Sequence, residues 1–186
     1  MDHYLDIRLL PDPEFAPAQL MNALFAKLHR TLVQLDSNDI GISFPATGKG
    51  RTGLGNHLRL HGSMTALQRL MAQPWLSGMR DHAQVGELSA VPESASHGVV
   101  RRVQAKSSPE RLRRRQMKRN AWSAEEARAA IPDSAAETLK LPFLTIRSIS
   151  TGQTFRLFID QCPVDQARVG TFNAYGLSST ASLPQF

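Results

Sequence analysis

The sequence has little of what marks secreted, disulfide-bonded or membrane-spanning proteins. Cys162 is the only cysteine in 186 residues, so no disulfide can form within the chain. No apolar run approaches the roughly 18 residues that a membrane span needs. Residues 1–6 lack the basic and apolar stretches of a secretory signal. We therefore expect a cytoplasmic protein, and the 41% of hydrophobic residues indicates a folded chain.

Acidic residues are scarce in one segment, and that segment carries the excess charge. Residues 101–119 contain nine lysines or arginines and a single acid, Glu110, whereas the rest of the chain has 13 basic and 15 acidic residues. The net charge of +6 therefore originates in this short segment. A concentrated positive charge attracts polyanions, and nucleic-acid phosphates are the commonest of these in the cytosol.

The first half of the chain alternates strand and helix patterns. Strand patterns occupy residues 3–9, 40–44, 57–61 and, weakly, 79–88. Helix patterns begin at Pro17, with leucines every three or four residues, and after Ser63, a capping residue. The order β-α-β-β-α-β is the ferredoxin-like pattern. We predict the α+β class, with a ferredoxin-like domain over residues 1–94.

The second half has a different pattern. Residues 89–98 are small and polar, which indicates a linker, so we predict a distinct second domain over residues 95–186. Strand patterns occupy residues 99–105, 141–148, 153–159 and 171–175, with a Thr151-Gly152 turn joining the second and third. Helices are predicted after Ser108, ending near Asn120, and after Ser123, where Glu126 completes a capping box.

The helix after Ser108 is rich in arginine. Arg111, Arg115 and Arg119 share one face, with Arg114 and Lys118 beside them. Like charges at this spacing destabilise an isolated helix by a few tenths of a kcal/mol each, which an anionic partner would offset. A solvated surface is the alternative, but such surfaces usually mix charges of both signs. Arginine favours planar phosphate and base contacts, so the helix predicts nucleic-acid binding.

Two polar residues lie on one side of the strand that precedes this helix. Arg102 and Gln104 alternate along it and would be about 7 Å apart. Arginine pairs with guanine and glutamine with adenine, so the two side chains suit successive bases. Generic polar positions on an exposed strand fit the pattern equally well.

Histidines are the candidates for chemistry. His57 and His61 would lie about 13 Å apart on a strand, too far to share one ion, so we predict no metal and no cofactor. His29 borders the apolar stripe of the first helix, where periodicity alone favours a histidine at the edge of the core. RNA carries its own nucleophile, the 2′-hydroxyl, so its cleavage needs only a base, a positioned phosphate and charge stabilisation, and one histidine can supply the base.

Motifs along nearly the whole chain carry a family resemblance. They are Met1–Leu9, Leu28-His29, Arg102–Ser107, Pro109–Arg115, Ile131–Asp133, Leu141–Phe143, Arg147-Ser148, Ser150–Gln153, Phe155–Ile159 and Tyr175–Ser178. In this order they resemble the CRISPR-associated endoribonucleases that process precursor CRISPR RNA in type I-F systems. The resemblance implies the same two-domain architecture as the patterns above, with a ferredoxin-like domain over residues 1–94 and an RNA-binding domain over residues 95–186.

The resemblance also implies roles for individual residues. His29 matches the base that acts on the 2′-hydroxyl, Ser148 the serine that holds this hydroxyl, and Tyr175 the tyrosine that orients the histidine. Arg102 and Gln104 match base readers, and Phe155 matches an aromatic residue that stacks under the terminal base pair, although a core phenylalanine also fits. The further candidates for RNA binding are Arg111, Arg114, Arg115, Lys118, Arg119 and Ser150.

The implied substrate is the stem-loop of a CRISPR repeat, cut at the 3′ base of its stem. Cleavage without a metal would leave a 2′,3′-cyclic phosphate and a 5′-hydroxyl, and the enzyme would stay on its product within a multi-subunit surveillance complex. A non-catalytic RNA-binding module would keep the basic helix but has no need for His29, Ser148 and Tyr175 together. A DNA-binding regulator would bind DNA and leave RNA uncut.

Overall fold

A computed structural model describes residues 1–48, 53–104, 109–133, 139–148 and 152–186. The protein is mixed α+β, and within these ranges it has four helices and two antiparallel sheets. The chain forms two compact units. The first comprises Met1–Val103 with Leu141–Phe186, and the second comprises Gln104–Lys140. The predicted boundary at residue 94 remains a prediction.

The described residues form four helices and nine strands. The helices are α1 (Pro17–Gln34), α2 (Met64–Met71), α3 (Pro109–Asn120) and α4 (Ala124–Ala130). The strands are β1 (His3–Leu9), β2 (Gly41–Ser43), β3 (His57–Gly62), β4 (Ala83–Val85), β5 (Ser89–Ala90), β6 (Ser96–Val103), β7 (Phe143–Arg147), β8 (Thr154–Val164) and β9 (Leu183–Gln185).

The first sheet has the order β2-β3-β1-β4, and β5 also pairs with β1. The predicted stripe of α1 is confirmed, because Leu20, Leu24, Leu28 and Leu32 are all buried. α1 and α2 both contact β1, whose Leu5, Ile7 and Leu9 are buried as the alternation predicted. Packing of these apolar side chains therefore fixes α1 on the sheet.

Polar residues are buried on β3 as well. Arg59 donates hydrogen bonds to both carboxylate oxygens of Asp6, and His57 Nε2 lies 2.9 Å from Asp6 Oδ1. Burial acts to raise the pKa of Asp6, but the hydrogen bonds from Arg59 and His57 outweigh it and lower this pKa. Burial also lowers the pKa of His61 to about 3. His61 Nε2 lies 2.8 Å from the hydroxyl of Ser43, whereas His61 Nδ1 is buried without a hydrogen-bond partner among the described residues.

The second sheet has the order β7-β8-β6-β9. The predicted hairpin is confirmed as the antiparallel pair β7–β8, with Gly152 at φ 67° in its turn. This left-handed conformation suits glycine, because it lacks a Cβ. Thr151 lies outside the described residues.

Two predictions in this half are wrong. Residues 171–175 form no strand, because Asn173 Oδ1 accepts hydrogen bonds from the N–H groups of Tyr175 and Leu177 and makes a turn instead. Residues 89–98 are no linker, since they contain β5 and the start of β6. Small polar residues suit sheet edges too, and here Ser96 Oγ donates to the carbonyl oxygen of Gln185 on β9.

Side chains and main chain of the last 30 residues attach the two sheets to each other. Gln161 accepts from the N–H of Phe44 and donates to its carbonyl oxygen, so one amide side chain extends the edge beyond β2. Ile42 N–H donates to Gly176 O, and Phe172 N–H donates to Asn38 O. The segment around Tyr175 is therefore held along β2.

The second unit consists of α3, α4 and their connections. The predicted capping box is confirmed, since Ser123 Oγ accepts from Glu126 N–H and Glu126 accepts from Ser123 N–H. Arg113 joins the two helices by donating to Ile131 O over 2.7 Å and to Asp133 over 2.6 Å. The predicted cap Ser108 lies outside the described residues.

Candidate functional site

His29 lies on α1 at the edge of the core. Leu28 before it is fully buried and Arg30 after it is exposed, so the imidazole is half-buried. Its Nδ1 lies 2.7 Å from the carbonyl oxygen of Ala174. A carbonyl oxygen only accepts, so we infer that Nδ1 carries the hydrogen. In the neutral ring Nε2 then holds the lone pair, which is the form that a general base needs.

Tyr175 stacks on this imidazole. The two ring centroids are 4.1 Å apart and the planes are inclined by 13°. Phe25 lies one turn earlier on α1, and its ring is also parallel to Tyr175, with a centroid separation of 6.3 Å. Tyr175 is only partly exposed, because it packs against the buried cluster. The His29 ring therefore lies face to face with an aromatic ring that itself packs against the core.

Ser148 directly follows β7 and is held by main-chain bonds. Its N–H donates to Gln153 O over 2.8 Å, and its carbonyl oxygen accepts from Gly152 N–H over 2.9 Å. β7 contacts α1, and Asn22 Oδ1 accepts from Thr145 N–H across that contact. The structure thus joins His29 to Tyr175 directly and places Ser148 at the end of a strand that adjoins the same helix.

Arg102 and Phe155 also meet within the first unit. Arg102 on β6 is exposed, and its guanidinium carbon lies 5.7 Å from the centroid of the Phe155 ring. Phe155 on β8 is half-buried and packs against the core. Arg101 differs, because it binds the carboxylate of Asp160 at 2.8 Å, which raises the pKa of Arg101. Gln104 is exposed just beyond β6, as the first residue of the second unit.

α3 has two distinct faces. One face is half-buried and includes Leu112, Arg113, Gln116 and Met117. The other is exposed and carries all five predicted cations, Arg111, Arg114, Arg115, Lys118 and Arg119. Arg113 is the exception among the arginines, because it belongs to the packing of α3 on α4. The remaining predicted residue, Ser150, lies outside the described residues.

Sequence reasoning missed the turn that brings the Ala174 carbonyl to His29. Asn173 and Gly176 flank Ala174 and Tyr175 with a turn pattern, Asn-Ala-Tyr-Gly, that argued against the predicted strand. Even this turn signal does not reveal the contact, because His29 and Ala174 are 145 residues apart in the chain.

Two kinds of feature are absent from the described residues. Within the ranges given above, no three histidine, cysteine or acidic side chains are close enough together to hold a metal ion. None of the four described helices is both long and apolar enough to cross a membrane.

Comparisons with known proteins agree in one family. The family model described as CRISPR-associated protein (Cas_Csy4) matches residues 4–186. A protein of Pseudomonas aeruginosa (strain UCBPP-PA14), named CRISPR-associated endonuclease Cas6/Csy4, is 56% identical over the full length of both chains. A protein of Escherichia coli (strain UTI89 / UPEC) with the same name is 46% identical, again over the full length of both. The chain therefore belongs to the CRISPR-associated Cas_Csy4 family.

Proposed function

We propose that this chain is a CRISPR-associated endonuclease that processes CRISPR RNA by cutting the stem-loop of the repeat at the 3′ base of its stem. The observation that carries the proposal is His29, whose Nδ1 is bound to a carbonyl oxygen and whose ring is stacked on Tyr175. A histidine held in this way has an unprotonated Nε2 in its neutral form and can act as a general base. The two relatives named above are endonucleases, which supports the same role.

The proposed reaction uses the nucleophile that RNA supplies. His29 Nε2 takes the proton from the 2′-hydroxyl, and the 2′-oxygen attacks the adjacent phosphorus. The bond to the 5′-oxygen breaks in line, and this oxygen takes up a proton. The products are a 2′,3′-cyclic phosphate and a 5′-hydroxyl, and no metal enters any step. Ser148 holds the 2′-hydroxyl, and Tyr175 keeps the imidazole in position.

RNA binding is assigned to other surfaces of the chain. The exposed face of α3, with Arg111, Arg114, Arg115, Lys118 and Arg119, contacts phosphates of the stem. Arg102 and Gln104 read bases at its foot. The half-exposed ring of Phe155 stacks under the terminal base pair, beside Arg102. Ser150 is assigned to RNA on the resemblance alone.

The same proposal covers architecture and partners. The antiparallel order β2-β3-β1-β4 and the sequence β-α-β-β-α-β support a ferredoxin-like domain over residues 1–94. Residues 95–186, which contain the arginine-rich α3, form the RNA-binding domain. We further propose that the protein acts in the cytoplasm, stays on its product and joins the other subunits of a type I-F surveillance complex.

The test is a cleavage assay on a CRISPR repeat RNA of the source genome, with EDTA in excess. We expect cutting at the 3′ base of the stem, a cyclic phosphate on the upstream product and a 5′-hydroxyl on the downstream one. A 2′-deoxy substitution at the scissile nucleotide removes the nucleophile and serves as the control, which should bind and stay intact. A strict need for magnesium, or a free 3′-hydroxyl product, contradicts the mechanism.

A further inference from the structure

We propose that Asn173 is a positioning residue for His29. By folding residues 173–177 into a turn, it holds the Ala174 carbonyl on Nδ1 and so keeps Nε2 as the basic nitrogen. This inference rests on the proposed function of His29 and names a residue that acts on His29 without touching the substrate.

The turn is built from hydrogen bonds within five residues. Asn173 Oδ1 accepts from the N–H of Tyr175 over 2.9 Å and from that of Leu177 over 3.3 Å. In the main chain, Asn173 N–H donates to Leu177 O over 2.9 Å, and Gly176 N–H donates to Asn173 O over 2.8 Å. The side chain of Asn173 therefore sets the orientation of the peptide groups on either side of Tyr175.

The turn is fixed to the core at its far end. Gly176 O accepts from Ile42 N–H over 3.0 Å, and Leu177 is 1% exposed. Gly176 has φ 69°, and a Cβ at this position would lie 2.8 Å from Ile42 Cγ2, so only glycine permits this approach. β2 and α1 belong to the same core cluster, which fixes the separation between the turn and His29.

The consequence for catalysis is the choice of tautomer. A neutral imidazole carries its hydrogen on either nitrogen, and a carbonyl oxygen on Nδ1 selects the form with the hydrogen there. Without an ordered turn, the alternative tautomer becomes populated, in which Nε2 bears the hydrogen and accepts no proton. Asn173 is exposed, so its truncation leaves no cavity in the core. It acts on the reaction only through Ala174 and Tyr175.

The first measurement reads the tautomer without any RNA. Nitrogen-15 NMR of the His29 ring, at a pH where the ring is neutral, should show a protonated Nδ1 and a bare Nε2 in the parent protein. Asn173→Ala should reduce this signature, and Asn173→Asp, which keeps an acceptor oxygen in place, should restore it. Asn173→Ser, a milder change, should give a smaller shift of the same sign if the alanine variant does not fold. Val169→Ala is the control, because Val169 is fully exposed on the same segment.

The second measurement is single-turnover cleavage of the repeat hairpin at saturating protein. Asn173→Ala should slow the cleavage step about 10-fold or more while the Kd for the hairpin stays unchanged, because groups that orient metal-binding histidines are typically worth ~10–100-fold and the Ala174 carbonyl contacts His29 in a comparable way. Asn173→Asp should recover most of the rate.

Two outcomes overturn the inference. One is an unchanged His29 signature in folded Asn173→Ala, and the other is a changed signature with the full cleavage rate. Failure of the proposed function is seen separately, as a parent protein that does not cut RNA in EDTA or a His29→Ala variant that cuts normally. The NMR result stands in either case, so the two failures are distinguishable.

Discussion

The surroundings of His29 and the exposed face of α3 differ in how far the protein itself orders their side chains. His29 is bonded to Ala174 O and stacked on Tyr175, whose main chain is in turn bound by Asn173. On α3, the side chains of Arg114, Arg115, Lys118 and Arg119 are exposed, and no residue of the helix is fully buried. The contrast suits two tasks. Chemistry needs one fixed geometry, whereas a charged surface adapts to a polyanion that completes it.

The largest expected effect is that of His29→Ala on cleavage. Cleavage should fall by at least the ~10²–10⁴-fold that a general base contributes, because no lone pair remains to take the 2′-proton. Hairpin affinity should stay within a factor of about two, well under the tenfold that 1.4 kcal/mol represents. Cleavage and binding are measured on the same RNA.

His97→Ala is the matched control, since His97 is another half-buried histidine and lies on β6. It should leave both measurements unchanged. If folded His29→Ala loses binding as well as cleavage, His29 supports the structure of the RNA site and the division between the two regions fails.

A second test uses neighbouring arginines on β6. Arg102→Ala should cost about 1–3 kcal/mol of binding free energy for the native hairpin and much less once the guanine it reads is replaced. Arg101→Ala is the matched change, because Arg101 is paired with Asp160 and is assigned no base. Binding titrations of the parent protein and of each variant with both RNAs form one double-mutant cycle for each arginine. Equal losses for the two RNAs in Arg102→Ala would mean that Arg102 contacts the backbone only.

Local patterns in the sequence were sufficient for most of the fold. The leucine stripe of α1, the alternation of β1, the Ser63 and Ser123 caps and the β7–β8 hairpin depend on residues close in the chain, and these predictions are confirmed. In the two wrong predictions, hydrogen bonds to other groups compete with the structure that the local pattern favours. Asn173 directs its side chain to main-chain N–H groups and prevents a strand, and residues 89–98 pair with partners elsewhere in the chain.

Residue types and the family resemblance were enough to predict the main residues of the candidate site. They were not enough to predict the contacts that hold those residues in position. His29 and Tyr175 were predicted as a pair, and the structure places their rings in contact. The Ala174 carbonyl has no signal of its own, because any residue supplies a carbonyl oxygen. Similarly, Arg113 looks like its neighbours in the sequence, and only the packing of α3 on α4 separates it from them.

A third prediction concerns acid. Lowering the pH should reduce the free energy of unfolding through the buried groups His61 and Asp6, while the charges of α3 stay the same. His61 is neutral in the folded protein down to a pKa of about 3, against an ordinary value of 6.5. Between these values the unfolded chain binds a proton that the folded chain refuses, so stability falls as the pH falls, by up to about 1.4 kcal/mol per pH unit. Asp6, with its lowered pKa, adds a loss of the same sign at still lower pH.

The measurement is urea unfolding at about pH 7 and about pH 5, where linkage predicts a lower stability at the acid value. His61→Gln removes the titration while its amide still faces Ser43. The variant should be less stable at neutral pH yet lose less stability on acidification. Equal losses in both proteins would show that His61 does not govern the acid response.

The smallest expected effect is a difference between two arginines of α3 in how hairpin binding depends on salt concentration. Arg115→Ala and Arg113→Ala each remove one positive charge from the same helix. Arg115 is exposed, whereas the side chain of Arg113 is 14% exposed and binds Ile131 O and Asp133. If the exposed face contacts phosphates, Arg115→Ala should lower the salt dependence of hairpin binding, the slope of log K against log salt, by about 1. Arg119→Ala should do the same.

Arg113→Ala should act in another way. It leaves the exposed face intact but removes the link between α3 and α4, so it should lower helix content by circular dichroism and weaken binding with little change in the salt slope. The slope is the deciding quantity, because counterion release counts phosphate contacts, whereas loss of α3 packing reduces affinity at every salt concentration alike. Equal reductions of the slope by Arg113→Ala and Arg115→Ala would mean that charge alone matters. The distinction between the two faces of α3 would then have no bearing on RNA binding.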